Sequence, residues 1–267
     1  MNTKKIILTF DVEEFDVPLE HNQHIPLEEQ IAVSTKGVLL LKALLEKYQV
    51  KSTIFCTGQY AMCQPELLRE LAKTHEIASH GMYHSSFDGK KDLADSRKVL
   101  QEITSQRIQG FRMARMMPVE NADIVAAGYS YNASLNPTFI PGRYNHLGKP
   151  KVPFMQDNLL QVPATVTPFL RFPMFWLSFK NLPFGLFKHF SKVSIKHYGC
   201  INLYFHPWEF TDLSAYSYIP AYVRKHSDGV LIARLEAYII WAKKQGYEFV
   251  TMGEYSPLTP RGGTVRR

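Results

Sequence analysis

The sequence has few cysteines and no long apolar run, and each absence excludes a class of protein. Cys56, Cys63 and Cys200 are the only cysteines in 267 residues and form no Cys-x-x-Cys pair, so no disulfide-stapled fold is expected and the thiols indicate a reducing compartment. No stretch of about 18 uncharged apolar residues occurs, so no transmembrane helix is predicted. The apolar run 6–10 stops at Asp11, shorter than the roughly 7–15 residues of a signal-peptide core. We therefore expect a cytoplasmic protein.

Acidic residues are few relative to basic ones, with 24 aspartates and glutamates against 31 lysines and arginines, which gives a formal net charge of +7 and a pI near 9.2. Such a charge can attract an anionic partner. No nucleic-acid-binding motif accompanies it, so no nucleic-acid partner is expected. Part of the excess lies in residues 257–267, which we predict to be a disordered basic tail.

Apolar, β-branched runs alternate with helical patterns, which predicts a parallel sheet or a (β/α) barrel in one domain over residues 1–256. The predicted strands are 6–10, 52–55, 76–79, 110–113, 129–132, 159–162, 201–205 and 248–251. A helix is predicted over 35–48 with Ser34 as its N-cap. Residues 136–158, which contain several prolines and glycines, are expected to form a long excursion.

Two acids follow the first predicted strand, and two histidines follow the third. Asp11 and Glu13, in Thr-Phe-Asp-Val-Glu-Glu, share a face if the strand continues, whereas Glu14 does not. His80 and His84, in Ser-His-Gly-Met-Tyr-His, can face one another across one turn. Together they would form a divalent metal site with a free carboxylate base, as in hydrolases that activate water. Acids that cap the next helix, and structural histidines, are the alternative interpretation.

A further histidine, His206, comes directly after another predicted strand, in Leu-Tyr-Phe-His-Pro-Trp-Glu. Pro207 disfavours helix at His206 and keeps it extended. An imidazole at a strand end suits a general acid, so we expect this role for His206. A buried histidine bonded to backbone is the alternative.

These segments, together with Gly-Phe-Arg-Met-Ala and Lys-Ser-Thr-Ile-Phe-Cys-Thr-Gly, occur in an order that resembles the polysaccharide deacetylase family, the NodB homology or carbohydrate esterase 4 group. The resemblance extends from about residue 5 to residue 252. It implies a single α/β domain, a distorted (β/α)7–8 barrel of the NodB type. It also implies one divalent metal, with zinc as the expected ion.

The resemblance gives each candidate residue a role. Asp11 would be the base and His206 the general acid that assists departure of the amine. Arg112, in Gly-Phe-Arg-Met-Ala, would orient Asp11, although a surface arginine is the alternative. The implied metal ligands are Glu13, His80 and His84.

Two positions depart from the family pattern. Most members have two adjacent aspartates in the first motif, where this chain has Asp11 and Val12, and a proline where it has Ala114. The Asp-Val-Glu spacing resembles an Asp-Val-Asp or Asp-Val-Glu subgroup, which includes intracellular peptidoglycan-deacetylase-like and exopolysaccharide-locus members. By that resemblance Glu13 replaces the missing ligand, and Glu14 is the weaker candidate.

The expected activity is that of a metal-dependent carbohydrate N-deacetylase, a hydrolase of C–N bonds other than peptide bonds. Its substrate would be an N-acetylated amino sugar of a cell-envelope or exopolysaccharide glycan, or of a precursor. Two alternatives stay open: a cyclic-amide or other C–N hydrolase using the same site, and a degenerate, metal-free glycan-binding module.

Residues 168–190 are unusually aromatic. We expect them to form core and one wall of the substrate cleft. A sharper hypothesis is that exposed aromatic side chains, with Arg171, Lys180 and Lys188, make peripheral contact with an anionic membrane surface at the inner face.

Overall fold

Eleven strands occur in the computed structural model, which describes residues 4–255, and nine of them form one curled sheet. The strands are β1 (Lys5–Val12), β2 (Thr53–Cys56), β3 (Glu76–Ser79), β4 (Gly110–Phe111), β5 (Tyr131–Asn132), β6 (Phe139–Ile140), β7 (Tyr144–Asn145), β8 (Phe154–Gln156), β9 (Leu159–Gln161), β10 (Cys200–Phe205) and β11 (Glu248–Phe249). The sheet order is β10-β1-β2-β3-β4-β5-β9-β8, and β11 also pairs with β1. All these pairs are parallel except β8 with β9. β6 and β7 form a separate antiparallel pair.

Helices connect most of the strands. They are α1 (Leu27–Lys47), α2 (Gly58–Cys63), α3 (Pro65–Ala72), α4 (Gly89–Thr104), α5 (Asn121–Ala126), α6 (Trp176–Asn181), α7 (Phe184–Tyr198), α8 (Ala221–Arg224), α9 (Gly229–Lys244) and α10 (Met252–Tyr255). Short 3-10 helices lie at Val17–His21, Ala114–Met116 and Pro207–Phe210. Within residues 4–255, none of these helices has the length and apolarity that a bilayer crossing requires.

The α/β prediction is confirmed, since each predicted strand overlaps a strand of the sheet. The excursion 136–158 contains β6, β7 and β8. The predicted tail 257–267 lies outside the described residues. The predicted N-cap at Ser34 is wrong. Helix α1 starts earlier because Pro26, extended at its N-terminus, is followed by two glutamates in the first turn, which the helix dipole favours.

The sheet curls until its two sides almost meet. After β9 the chain continues beside β10, where the amide of Thr165 donates to the carbonyl of Asn202 at 3.1 Å. The amide of Asn202 donates in return to the Thr165 hydroxyl at 2.7 Å. This segment covers the gap between β9 and β10, which gives the distorted half-barrel that the motifs predict.

Alternation along β1 divides the core into two layers. Phe10 and Val12 belong to the apolar cluster between sheet and helices, whereas Ile7 belongs to the cluster inside the barrel. Asp11 therefore points into the barrel, and Glu13 follows on the same side. Val12, which stands where most members have the second aspartate, is buried among apolar side chains.

Candidate metal centre and catalytic site

All six predicted site residues lie together at the carboxyl end of the parallel strands. Asp11 is in β1, and Glu13 is the first residue after that strand. His80, Arg112 and His206 each come immediately after a strand, β3, β4 and β10 respectively, and His84 lies in the turn beyond His80. Neighbouring parallel strands end at the same edge, so residues distant in sequence become adjacent.

Glu13, His80 and His84 form a buried group with the donor composition of a metal site. Their ligand atoms lie within 4.8 Å of one another. Glu13 Oε2 is 3.0 Å from His80 Nε2 and 3.1 Å from His84 Nε2. Within the described chain, Glu13 Oε2 and His80 Nε2 are buried without a hydrogen-bond partner. Such atoms are costly unless a cation binds them, and two imidazoles with one carboxylate suit a divalent ion.

The far nitrogen of each imidazole has an acceptor that fixes the ring. His80 Nδ1 donates to the carbonyl of Arg112 at 2.9 Å, because a carbonyl can only accept, and this leaves Nε2 as the ring nitrogen that faces Glu13. His84 Nδ1 donates to Asp16 Oδ1 at 2.7 Å. Asp16 in turn binds Arg115 at 2.9 Å. Both Nε2 atoms are thereby directed at Glu13, as metal-binding histidines require.

Glu13 is also held from two sides. Trp208 Nε1 donates to Glu13 Oε1 at 3.0 Å, and the Ser34 hydroxyl donates to the Glu13 carbonyl at 2.5 Å. One carboxylate oxygen is thus occupied, and the other, Oε2, faces the two histidines. Ser34, predicted as an N-cap, therefore holds the Glu13 backbone instead of starting a helix.

Electrostatics favour a charged carboxylate at Glu13. Burial alone would raise the pKa of Glu13, but His84, His206 and His80 together hold it well below its usual range. For His84, burial alone would lower the pKa, but Glu13 and Asp16 raise it to about 9. A metal must displace this proton, because only neutral imidazole coordinates.

Glu14 is placed differently from Glu13. Its Oε2 accepts from the Thr57 hydroxyl at 2.9 Å, and it is not part of the three-residue group. Burial raises the pKa of Glu14, opposite to the shift at Glu13. Side chains alternate between the two faces of a strand, which predicts Glu13 rather than Glu14 as the ligand. The position of Glu14 agrees with that prediction.

Asp11 is held by an arginine that is itself fully buried. Arg112 Nη1 lies 2.6 Å from Asp11 Oδ1 and 2.9 Å from the Thr9 hydroxyl, and Arg112 Nε donates to the carbonyl of Ala133 at 3.2 Å. The guanidinium carbon lies 4.1 Å from the centre of the Phe55 ring. The alternative of a surface arginine is therefore wrong.

His206 faces Asp11 from the last strand of the site. Its Nε2 lies 4.0 Å from Asp11 Oδ2, and its Nδ1 donates to Glu209 Oε1 at 2.8 Å. The ring stacks on Trp208 with centroids 5.0 Å apart. Burial alone would lower the pKa of His206, but Glu13, Glu209 and Asp11 raise it, so the imidazolium form persists to higher pH.

Behind Glu209 lies Lys180, which is completely buried, as the expectation of core for this stretch requires and the hypothesis of an exposed patch does not. Its Nζ is 3.6 Å from Glu209 Oε2 and donates to the carbonyl of Val223 at 2.8 Å. The hypothesis of an exposed patch is wrong for Lys180, because α6 packs this face of the aromatic stretch against α8, near Ser227.

A large cavity opens beside the centre, with a volume of about 1170 Å³. Asp16, Arg115 and Asn132 line it near the site, and Tyr144 and His146 line it farther out, with their rings stacked 4.7 Å apart. Pockets that bind drug-sized ligands measure about 300–1000 Å³, so this cavity has room for more than one sugar residue.

Sequence reasoning missed several residues of the site. Asp16, Glu209 and Trp208 lie in the quoted motifs or next to them, so their proximity to charged neighbours was the available signal. Gly37 gave no signal. A Cβ on Gly37 would overlap the carbonyl of Pro207, so a glycine lets α1 approach the turn after His206.

A family comparison agrees with the motifs. The family model described as polysaccharide deacetylase matches residues 1–117, which contain every predicted site residue except His206. This match confirms the predicted resemblance to that family over residues 1–117, whereas the subgroup stays a prediction. No curated protein matches the chain.

Solved structures share the fold over nearly the whole length. A structure assigned as a polysaccharide deacetylase of Mycobacterium smegmatis is 18% identical, with 100% of this chain and 96% of that chain covered and a TM-score of 0.66. One from Pseudomonas aeruginosa PAO1, also assigned as a polysaccharide deacetylase, is 16% identical. The match covers 95% of this chain and 90% of that chain, with a TM-score of 0.65. PuuE allantoinase is 15% identical, and the match covers 95% of this chain and 89% of that chain, with a TM-score of 0.63. At these identities the likeness shows the fold, and it confirms the predicted NodB-type barrel.

Proposed function

Starting from a chain that matches the polysaccharide deacetylase family over residues 1–117 and has the deacetylase fold throughout, we propose that the protein is a metal-dependent carbohydrate N-deacetylase. Its substrate would be an N-acetylated amino sugar of a cell-envelope or exopolysaccharide glycan or of a precursor. The observation that carries the proposal is the buried group Glu13, His80 and His84 directly beside the Asp11–Arg112 pair.

The proposed ion is divalent, with zinc as the first choice because its catalytic sites use imidazole and carboxylate ligands. Held by Glu13, His80 and His84, such an ion would supply Lewis-acid activation of a water and of the acetyl carbonyl. The unpartnered Glu13 Oε2 and His80 Nε2 support this assignment.

Asp11 is the proposed base. Its Oδ1 is bound by Arg112, so Oδ2 is the oxygen free to accept a proton from the attacking water. Arg112 positions the carboxylate through contacts with the Thr9 hydroxyl in β1 and with the carbonyl of Ala133, just after β5. General-base transfer from such a held group is worth about 10²–10⁴-fold in rate.

His206 is the proposed acid. Its Nδ1 is bound by Glu209, so Nε2, which faces Asp11 Oδ2, carries the proton to be donated. As the C–N bond breaks, Nε2 protonates the leaving amine, and the new C–O bond completes acetate. Lys180 supports this arm because it binds the second oxygen of Glu209.

Acetate release from N-acetylated chito-oligosaccharides by the zinc-loaded protein tests the proposal. We expect Asp11→Asn and His206→Gln each to reduce the rate by about 10²–10⁴-fold. The matched controls Asp95→Asn, at a half-buried position, and His189→Gln, at an exposed one, change residues outside the site and should retain the wild-type rate.

Metal content gives the second measurement. Protein purified without chelator should contain about one divalent ion per chain, and His80→Ala should lose it. A metal-free protein that binds glycan would overturn the hydrolase in favour of a binding module. Ring opening of a cyclic amide without acetate release from any N-acetylated sugar would overturn the substrate class.

A further inference from the structure

The positive charge of the protein is concentrated in one part of the chain. Residues 124–208, hereafter the basic segment, contain eight lysines and arginines and a single acid, Asp157. Their net charge of +7 equals that of the whole protein, so the remainder is neutral overall. The basic residues are Arg143, Lys149, Lys151, Arg171, Lys180, Lys188, Lys192 and Lys196, of which Lys180 alone is fully buried.

Two large apolar side chains project from this segment. Phe169 is 83% exposed and Leu170 85%, and no other large apolar residue within 4–255 exceeds 57%. We call this pair the apolar tip. It lies on a tight turn in which the amide of Arg171 donates to the carbonyl of Thr167 at 3.2 Å and the amide of Thr167 to the carbonyl of Phe172 at 2.9 Å. The tip is therefore held outward by backbone hydrogen bonds.

One lysine lies at the base of the apolar tip, and helix α7, which carries a row of lysines, packs beside it. Lys151 Nζ donates to the carbonyl of Pro168 at 2.6 Å, directly at the base of the turn. On the other side, the ring of Phe169 lies 6.1 Å from that of His197 on α7. Lys188, Lys192 and Lys196 on α7 are four residues apart and form one row along that helix.

We propose that the apolar tip, together with Lys151 and the lysine row of α7, docks the protein on an anionic lipid bilayer. Apolar side chains that enter the acyl region, ringed by lysines at headgroup level, are the arrangement that binds such surfaces. A soluble polyanion would use the lysines but would leave Phe169 and Leu170 in water. The combination of features favours lipid.

Docking would also orient the cavity beside the metal centre. Arg171, next to the tip, donates to the carbonyl of Pro137 at 3.1 Å, and its own carbonyl accepts from Thr138 at 2.7 Å. The same loop continues to Tyr144 and His146, which line the cavity. If the proposed deacetylase function holds, this places the cavity near the membrane surface, where a lipid-linked glycan would be presented.

Co-sedimentation of the full chain with phosphatidylcholine vesicles containing 0, 20 or 40% phosphatidylglycerol tests the docking. We expect binding that increases with the anionic fraction and weakens as salt is raised. The double variant Phe169→Ser with Leu170→Ser should bind at least about tenfold more weakly. The control Leu39→Ser with Val230→Ser removes two exposed apolar residues elsewhere and should bind as wild type.

Two triple variants test the charge. One carries Lys188→Gln, Lys192→Gln and Lys196→Gln on α7. The control carries Lys90→Gln, Lys91→Gln and Lys98→Gln, which removes equal charge from exposed positions on α4. The α7 variant should lose anionic-vesicle binding at least tenfold, and the α4 variant less than threefold.

Several outcomes would overturn docking. These are no binding at 40% phosphatidylglycerol, equal losses in test and control variants, or binding to heparin but not to vesicles. Dimerisation abolished by Phe169→Ser with Leu170→Ser, without vesicle binding, would assign the tip to a second copy instead. Acetate release from a soluble substrate is measured in parallel. It should be unchanged in the tip variant, so failure of docking and failure of the deacetylase proposal are distinguishable.

Discussion

Replacing Trp208 with phenylalanine should weaken metal binding while leaving the fold intact. The indole Nε1–H donates to Glu13 Oε1 at 3.0 Å and so directs Glu13 Oε2 at the two histidines. Phenylalanine keeps the contacts with Phe15 and His206, whose ring centroids lie 5.5 and 5.0 Å from the indole, but cannot donate. Losing a partner that orients a metal ligand costs about 10–100-fold in affinity. This corresponds to about 1.4–2.7 kcal/mol.

The assay is zinc competition against a chromogenic chelator at pH 7.5, with thermal unfolding measured in parallel. Glu13→Gln supplies the lower limit of affinity, and Trp241→Phe, at a half-buried position on α9 outside the site, is the matched control. Zinc affinity within twofold of wild type in Trp208→Phe, with a large loss in Glu13→Gln, would refute the reasoning. It would mean that the indole does not orient the carboxylate.

Three further measurements address proton release, packing and acid stability. Glu13 and Asp16 raise the pKa of His84 to about 9 against the effect of burial, so zinc uptake at pH 7 should release about one proton. Calorimetry in buffers of different ionisation enthalpy measures this release. Release of no proton would contradict the assignment of His84 as a metal ligand. Gly37→Ala should destabilise by about 1–3 kcal/mol, since its Cβ would overlap the Pro207 backbone, whereas Gly185→Ala in α7 meets no neighbour and should not destabilise. Burial lowers the pKa of His75 to about 4, so between about pH 6.5 and 4 the unfolded chain binds a proton that the folded chain does not. The free energy of unfolding should therefore decrease by up to ~3 kcal/mol as the pH is lowered through this range. In urea unfolding, His75→Gln should lack most of this pH dependence.

The parts of the site that could be predicted are those encoded by local geometry. Alternation along β1 predicts that Asp11 and Glu13 share a face and that Glu14 does not, and the structure has this arrangement. Strand ends also predicted the convergence with His80 and His206, because parallel strands end at one edge. These inferences need only residue spacing and strand order.

The parts that failed depend on packing between distant segments. Lys180 resembles a surface lysine in sequence, and only the contact of α6 with α8 buries it against Val223. Trp208 and Glu13 are 195 residues apart, so no local pattern indicates their hydrogen bond. Ser34 lies inside α1, where β-branched and small neighbours conceal the helix, and its role depends on α1 passing close to Glu13.

The pairing of β10 with β1 has a consequence for how the protein is made. The three proposed metal ligands all lie within the first 84 residues, whereas His206 and Trp208 are synthesised after residue 200. On the ribosome the ligand set is synthesised well before its proton donor, and β1 can pair with β10 only after residue 200 has been made. Contacts of such long sequence separation form slowly. Assembly of a working active site is therefore expected to be a late event in folding, after the metal ligands have already met.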